Sequence, residues 1–116
     1  MKFKVILALV TDDRTAKIIE VARHEGATGC TVVKNARGEG LVPPKTFFGL
    51  GLEEQRDLIL FLVEEHLSRN VLEAIAEAGR FDVDVGAGIA FQLDVEDAVG
   101  LSSQLPVIKD EIEDEI

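Results

Sequence analysis

Tryptophan and tyrosine are absent from this 116-residue chain, six phenylalanines are its only aromatic residues, and Cys30 is its only thiol. A core must therefore be built mainly from Val, Ile, Leu and Ala, and a hydrophobic content of 47% supplies enough for one domain but not for two independent ones. A single cysteine excludes an internal disulfide and makes a reducing cytoplasm the default. Cations are scarce too, 12 Lys and Arg against 22 Asp and Glu, for a formal net charge of −10. A surface this acidic lacks the basic footprint that phosphate contacts require, which argues against nucleic acid or an anionic membrane as partner. No run approaches the roughly 20 apolar residues of a membrane span, so no direct membrane insertion is expected. The N-terminal KFKVILALV is basic and then apolar, yet Thr11, Asp12 and Asp13 follow where a small-residue cleavage site would fall. It reads as a buried strand rather than a signal peptide.

Taken in order, FKVILALV at residues 3–10 is a strand, apolar and β-branched but too short for a solitary helix. Asp12 or Asp13 is placed to cap a helix whose Thr15, Ile18, Ile19 and Ala22 recur at helical spacing up to Gly26, a candidate C-terminal cap. GCTVVK at 29–34 is a second strand and DLILFLV at 57–63 a third. Leu67, Val71, Ala74, Ile75 and Ala78 form one apolar helical face that Gly79 ends. After the loop RFDVDVGAG, the segment GIAFQLDV at 88–95 alternates Ile89, Phe91 and Leu93 against Ala90, Gln92 and Asp94, a fourth strand. The order βαββαβ is that of an α+β, ferredoxin-like domain with a four-stranded antiparallel sheet and both helices on one face.

Two segments stand apart from that frame. ARGEGLVPPKTFFGLGLEEQR, residues 36–56, holds four of the ten glycines and two of the three prolines, so regular helix or strand through it is not expected. Irregular connections of this length in a small domain are usually functional or disordered. Residues 105–116 form an acidic C-terminal tail in which Ile108, Ile112 and Ile116 could line a short helix, although fraying is the ordinary fate of a terminus. The third strand adds a requirement of its own. Leu58 to Val63 are apolar on both sides of the pleat, so something must cover the sheet face opposite the helices. Another copy of the chain is the economical cover, and an oligomer built on its sheets is expected.

Few residues suggest catalysis. His24 and His66 are solitary and have no second ligand at metal spacing, so they read as surface histidines. Cys30, within a strand, reads as a small buried hydrophobe. The acid pairs Asp12–Asp13, Glu53–Glu54 and Glu64–Glu65 point to different sides of their elements and read as capping or solvated charge. An acylphosphatase-like enzyme would need an anion cradle after the first strand, where Arg14 instead stands beside two carboxylates. Gly86, Ala87 and Gly88 admit two readings, a backbone that approaches an anion closely or a tight loop that needs positive φ angles.

Three stretches together resemble the PII signal-transduction family: GATGCTVVK at 26–34, NVLEAIAEAGRF at 70–81 and GAGIAFQLDVEDAVGL at 86–101, the last similar to a G-D-G-K-I-F followed by V-E-D-A-V. The likeness covers residues 3–104, with 1–104 as the expected domain. It implies a homotrimer that is a sensor and not an enzyme, with a small effector such as an adenine nucleotide held in clefts between subunits. Thr31, Arg37, Gly38, Gly86, Ala87 and Gly88 would line the cleft, with Arg80 keeping one positive charge of the family's earlier loop motif. Residues 36–56 would be the T-loop, which docks on a protein target, a membrane transporter or a metabolic enzyme, through Pro43, Pro44, Lys45, Phe47, Phe48 and Leu50.

The departures shape the expectation as much. Ile89 stands where the family's phosphate-binding lysine falls, and Gly100, Leu101 and Ser102 replace its R-x-R. Losing several cations, at roughly 1.5 to 3 kcal/mol for each hydrogen bond to a charged group, weakens any site for a triphosphate. ADP, AMP, another less charged ligand or no nucleotide at all then competes with ATP. Without tyrosine, uridylylation of the T-loop is excluded. A ligand-independent interaction module is the alternative within the same fold. A CutA-like trimer is another, although no cluster of His and Cys supports carrying over metal binding.

Overall fold

Strand β1 (Phe3–Thr11) buries Ile6, Ala8 and Val10 completely, while the intervening Val5, Leu7 and Leu9 are only half-buried. This period of two marks a pleated strand with one covered face and one open face, both apolar. In the computed structural model the described residues are 2–36 and 55–100, with the backbone alone at 46–47 and 50–51. A 3-10 turn (Asp12–Arg14) leads into α1 (Thr15–His24), followed by β2 (Cys30–Ala36), a short β3 (Thr46–Phe47) and β4 (Leu50–Gly51), β5 (Arg56–Glu64), α2 (Glu65–Gly79) and β6 (Gly88–Asp94). The main sheet has the order β2-β5-β1-β6 with every neighbouring pair antiparallel, the expected ferredoxin-like arrangement.

Register assigns each side chain to a face. Ala8 stands opposite Ile59 and Ala90, and Ile6 opposite Phe61, so β1 and β5 present one continuous buried surface. Ile18 and Ala22 of α1 and Val71 and Ile75 of α2 pack on it, which places both helices on that side. Burying a side chain of this size is worth about 1.5 to 3 kcal/mol, so this layer is the main source of stability. Leu7, Leu60 and Phe91 align across the other face, flanked by Val5, Leu62 and Leu93 and by Leu9, Leu58 and Ile89. Phe91 is 42% and Leu93 51% exposed, so the apolar set of β6 faces away from the helices.

Helix ends account for much of the local sequence. At the end of α1 the Gly26 amide donates to the Arg23 carbonyl and the Ala27 amide to the Ala22 carbonyl, with Gly26 at φ 115°. That is a Schellman closure, and it needs glycine at the left-handed position. At the start of α2 the Glu64 carboxylate accepts from the His66 amide at 3.1 Å and also contacts the His66 ring.

Three expectations are corrected. Asp12 and Asp13 do not cap α1, because the 3-10 turn consumes them and Arg14 occupies the cap position without a side-chain hydrogen bond. The long loop is not wholly irregular: Thr46 pairs with Gly51 and Phe47 with Leu50 as a small antiparallel ladder, in which Thr46 and Phe47 are the β-favouring residues. Cys30 is exposed rather than buried, since it opens edge strand β2, on which neither helix packs extensively. His24 and His66 lie on the surface as expected. The C-terminal tail lies outside the described residues, and among those described no helix is long and apolar enough to cross a membrane.

One buried charge interrupts the helix-side core. Asp57, 1% exposed, accepts from the Thr15 hydroxyl at 2.6 Å and from the Lys34 ammonium at 3.0 Å. Lys34 is held at this reach beside a bulge, where Asn35 adopts φ 60° between the two parts of the β2–β5 register. Burial pushes the Asp57 carboxyl up, but the bonds from Thr15 and Lys34, with the charge of Lys34, outweigh it and hold the carboxyl below its usual range. A carboxyl that is lowered in the native state stabilises the fold above its unfolded value and stops doing so as pH falls through the native value. Asp57→Ala leaves the Thr15 hydroxyl buried without an acceptor and should cost about 1 to 3 kcal/mol at neutral pH. Urea unfolding at pH 7 and at pH 3 checks this, with the gap between wild type and variant narrowing at the acid end.

Candidate functional site

Three connections converge at the C-terminal end of β1. Thr11 is registered against Arg56, Val10 against Gly88, and Ala36 also against Arg56. Beyond the ladders, the Asp12 amide donates to the Gln55 carbonyl at 3.4 Å and the Thr11 amide to the Ala87 carbonyl at 3.3 Å. Both feet of the 36–56 loop, the turn before α1 and the loop before β6 therefore occupy one edge of the sheet.

The loop from Arg80 to Ala87 is shaped by its own backbone and by one ring. The Arg80 and Phe81 amides donate to the carbonyls of Glu77 and Ala76, closing α2 with Arg80 in the left-handed conformation at φ 56°. Gly79 is helical, and its lack of a side chain serves packing instead: an added Cβ would fall 2.2 Å from the Phe81 ring. The same ring lies 2.6 Å from a Cβ placed at Gly88, where the Leu9 carbonyl is also only 2.8 Å away. Phe81 thus pins the loop between two glycines. Gly86 has φ 76°, the turn that the tight-loop reading of the glycine pair requires.

Charged groups fix the rest of the loop. Arg14 donates from one nitrogen to the Gly79 carbonyl at the end of α2, where a cation also complements the helix dipole, and from another to Asp84 Oδ2 at 2.9 Å. Arg80 donates to the same oxygen at 3.1 Å. The Arg14 hydrogen bond is the main influence on the Asp84 carboxyl and, with Arg80 and against some desolvation, holds it below the usual carboxylate range. Arg56, nearly fully buried, donates to the Gly86 carbonyl at 2.9 Å. The last residue of the 36–56 segment, which is also the first of β5, therefore grips the loop before β6.

Between these parts lies an open cleft of about 590 Å3 formed by Thr11 to Arg14, Gln55 and Asp84 to Ala87. The Thr11 side-chain oxygen is buried and has no hydrogen-bond partner among the described residues, an unusual state for a buried hydroxyl. Val85 at the rim is 99% exposed. Of the sequence-derived site residues, Gly86 and Ala87 line the cleft and Gly88 follows them into β6. Thr31 lies elsewhere in the chain, exposed on β2 opposite Leu60 on the open face. Arg80 borders the loop but is engaged by Asp84. Arg37, Gly38, Pro43, Pro44, Lys45 and Phe48 lie outside the described residues, as do the side chains of Phe47 and Leu50. Among the described residues no group of three or more His, Cys, Asp or Glu could hold a metal ion.

The roles of Arg14, Arg56 and Asp84 were not legible as site chemistry. A signal existed for two of them: Arg56 and Asp57 put opposite charges at the head of an apolar strand, and Asp84 follows Arg80 by four residues. Such charges need partners, but neither spacing says that the partners cross the fold.

Known proteins share this architecture. The family model for nitrogen regulatory protein P-II matches residues 3–104. No curated protein matches the chain by sequence. Among solved structures, CPII of Thiomonas intermedia K12 bound to ADP, AMP and acetate aligns with a TM-score of 0.68 at 18% identity, over 84% of this chain and 89% of its own. The same protein bound to ADP, AMP and bicarbonate aligns with a TM-score of 0.64 at 18% identity, over 84% and 94%. A PII-like signalling protein of Thermus thermophilus aligns with a TM-score of 0.60 at 22% identity, over 82% and 87%. At these identities the structures speak for the fold, and the family model for the lineage: the chain belongs to the nitrogen regulatory protein P-II family.

Proposed function

We propose that this protein is a trimeric regulator that holds a small effector, an adenine nucleotide such as ADP or AMP, in the cleft beside residues 84–87 and acts on a protein target through its 36–56 loop. The observation that carries the reading is the meeting of that cleft with both feet of the long loop, joined by the Arg56 bond to Gly86. Occupancy on one side of Arg56 can bias the backbone on the other, because both share the same side chain. The glycine-turned backbone at Gly86 offers a polar contact of the kind that a mostly preformed small-molecule site needs. CPII, similar in fold, was solved with ADP and AMP, which supports this ligand class. Pro43, Pro44, Lys45, Phe47, Phe48 and Leu50 would meet the target, a transporter or an enzyme, with Arg37 and Gly38 at the loop's base and Thr31 reaching a cleft completed by the neighbouring copy.

The open sheet face supports the trimer. It is a continuous apolar surface from Val33 on β2 across Leu58, Leu60 and Leu7 to Phe91 on β6, far from the alternation of a solvated sheet. Light scattering on the intact chain should give three times the 12.6 kDa monomer mass. Phe91→Lys should lower that mass while the helical circular dichroism persists. A wild-type monomer would contradict the assembly.

Calorimetry on the assembled protein tests the ligand. AMP or ADP should bind more tightly than about 1 mM, a free energy of about −4 kcal/mol, and Gly86→Val should weaken it by placing a β-branched residue at a left-handed φ. Absence of heat with both nucleotides would remove the nucleotide from the proposal.

A further inference from the structure

The Asp84 carboxylate ties Arg14 and Arg80 to a loop whose turn its backbone already closes. Its backbone already closes the loop, accepting from the Ala87 amide at 3.2 Å and donating to the Arg80 carbonyl at 2.9 Å. Its carboxylate nevertheless reaches to a single point, Oδ2, where the guanidinium groups of Arg14 and Arg80 meet. Arg14 keeps a second anchor on the Gly79 carbonyl, so its guanidinium is fixed at the cleft wall whether or not Asp84 is there. The wall so formed carries three carboxylates, Asp12, Asp13 and Asp84, against the one guanidinium of Arg14.

We infer that Asp84 is an internal counter-ion that sets the charge the cleft accepts: it occupies Arg14, the guanidinium of the cleft wall that an anionic ligand would otherwise recruit, and so selects against polyanions. This rests on the cleft being the effector site proposed above. A ligand with three phosphates must displace Asp84 from Arg14 or leave its charges unpaired beside the three carboxylates, and both routes are unfavourable. A ligand with one phosphate meets less of that repulsion and can use the Gly86 backbone. Selection thus comes from an added repulsive group rather than from a tighter attractive one.

Inorganic tripolyphosphate is the direct probe, because it carries the charge without the base. In calorimetry on the assembled protein, Asp84→Asn should bind tripolyphosphate about tenfold more tightly than wild type, with a steeper loss in added salt. Asp84→Ser should do the same, so the result does not hang on one variant folding well. Adding Arg14→Gln to Asp84→Asn should abolish the gain. With nucleotides, the ratio of ATP to AMP affinity should rise in the single variants. Unchanged tripolyphosphate binding in both, or a gain that survives loss of Arg14, overturns the inference. A tripolyphosphate gain in a protein that binds no adenine nucleotide supports the counter-ion and removes the nucleotide reading instead.

Discussion

The register of β1 between β5 and β6 is the constraint on which the remaining structure depends. With Thr11 opposite Arg56 and Val10 opposite Gly88, the end of one strand fixes the foot of the long loop and the exit of the loop before β6 at the same height. A slip by one residue would turn Ile6, Ala8 and Val10 away from the helices and carry the cleft apart with them. Two buried polar devices guard that register. Asp57 reads whether Thr15 of α1 and Lys34 of β2 are in place, and Arg56 reads whether Gly86 is. Each is costly if its partners are lost, which gives specificity to an aliphatic core that could slide.

On the proposed reading, that same edge is where ligand and partner would be coupled. The loop before β6 is held from three sides, by Phe81 between its glycines, by Arg14 from the first helical turn and by Arg56 from β5. A ligand that moves any of these contacts acts on a backbone shared with the 36–56 loop. The loop's inner foot, Ala36, pairs with Arg56 immediately beyond the bulge at Asn35, where the ladder is weakest.

How much of this was legible in the sequence depended on whether the cause was local. The periodic runs of β1, β5 and α2 placed the elements to within a residue or two, because burial of alternate or every third and fourth residue is written directly in the chain. Apolar residues on both sides of β5 also foretold an uncovered face. Cys30 misled because edge exposure depends on which strand the helices cover, not on its neighbours in sequence. Asp12 and Asp13 misled because a 3-10 turn before α1 shifted the cap onto Arg14. Gly79 was rightly read as the end of α2 but for a different reason: Arg80 adopts the left-handed conformation, and Gly79 makes room for Phe81. The glycine pair at 86 and 88 marked the turn beside the cleft, whereas the Arg14–Asp84–Arg80 cluster joins residues up to 70 positions apart and no local pattern announces it.

In the proposed regulator, effector occupancy of the cleft and the state of the 36–56 loop are two readouts of one coupled edge, and hydrogen exchange on the assembled protein measures both at once. With saturating AMP, amides of residues 84–88 and of residues 36–56 should change their exchange rates together, while those of α1 and α2 stay as they are. A change confined to residues 84–88, with the long loop indifferent to the ligand, would contradict the account.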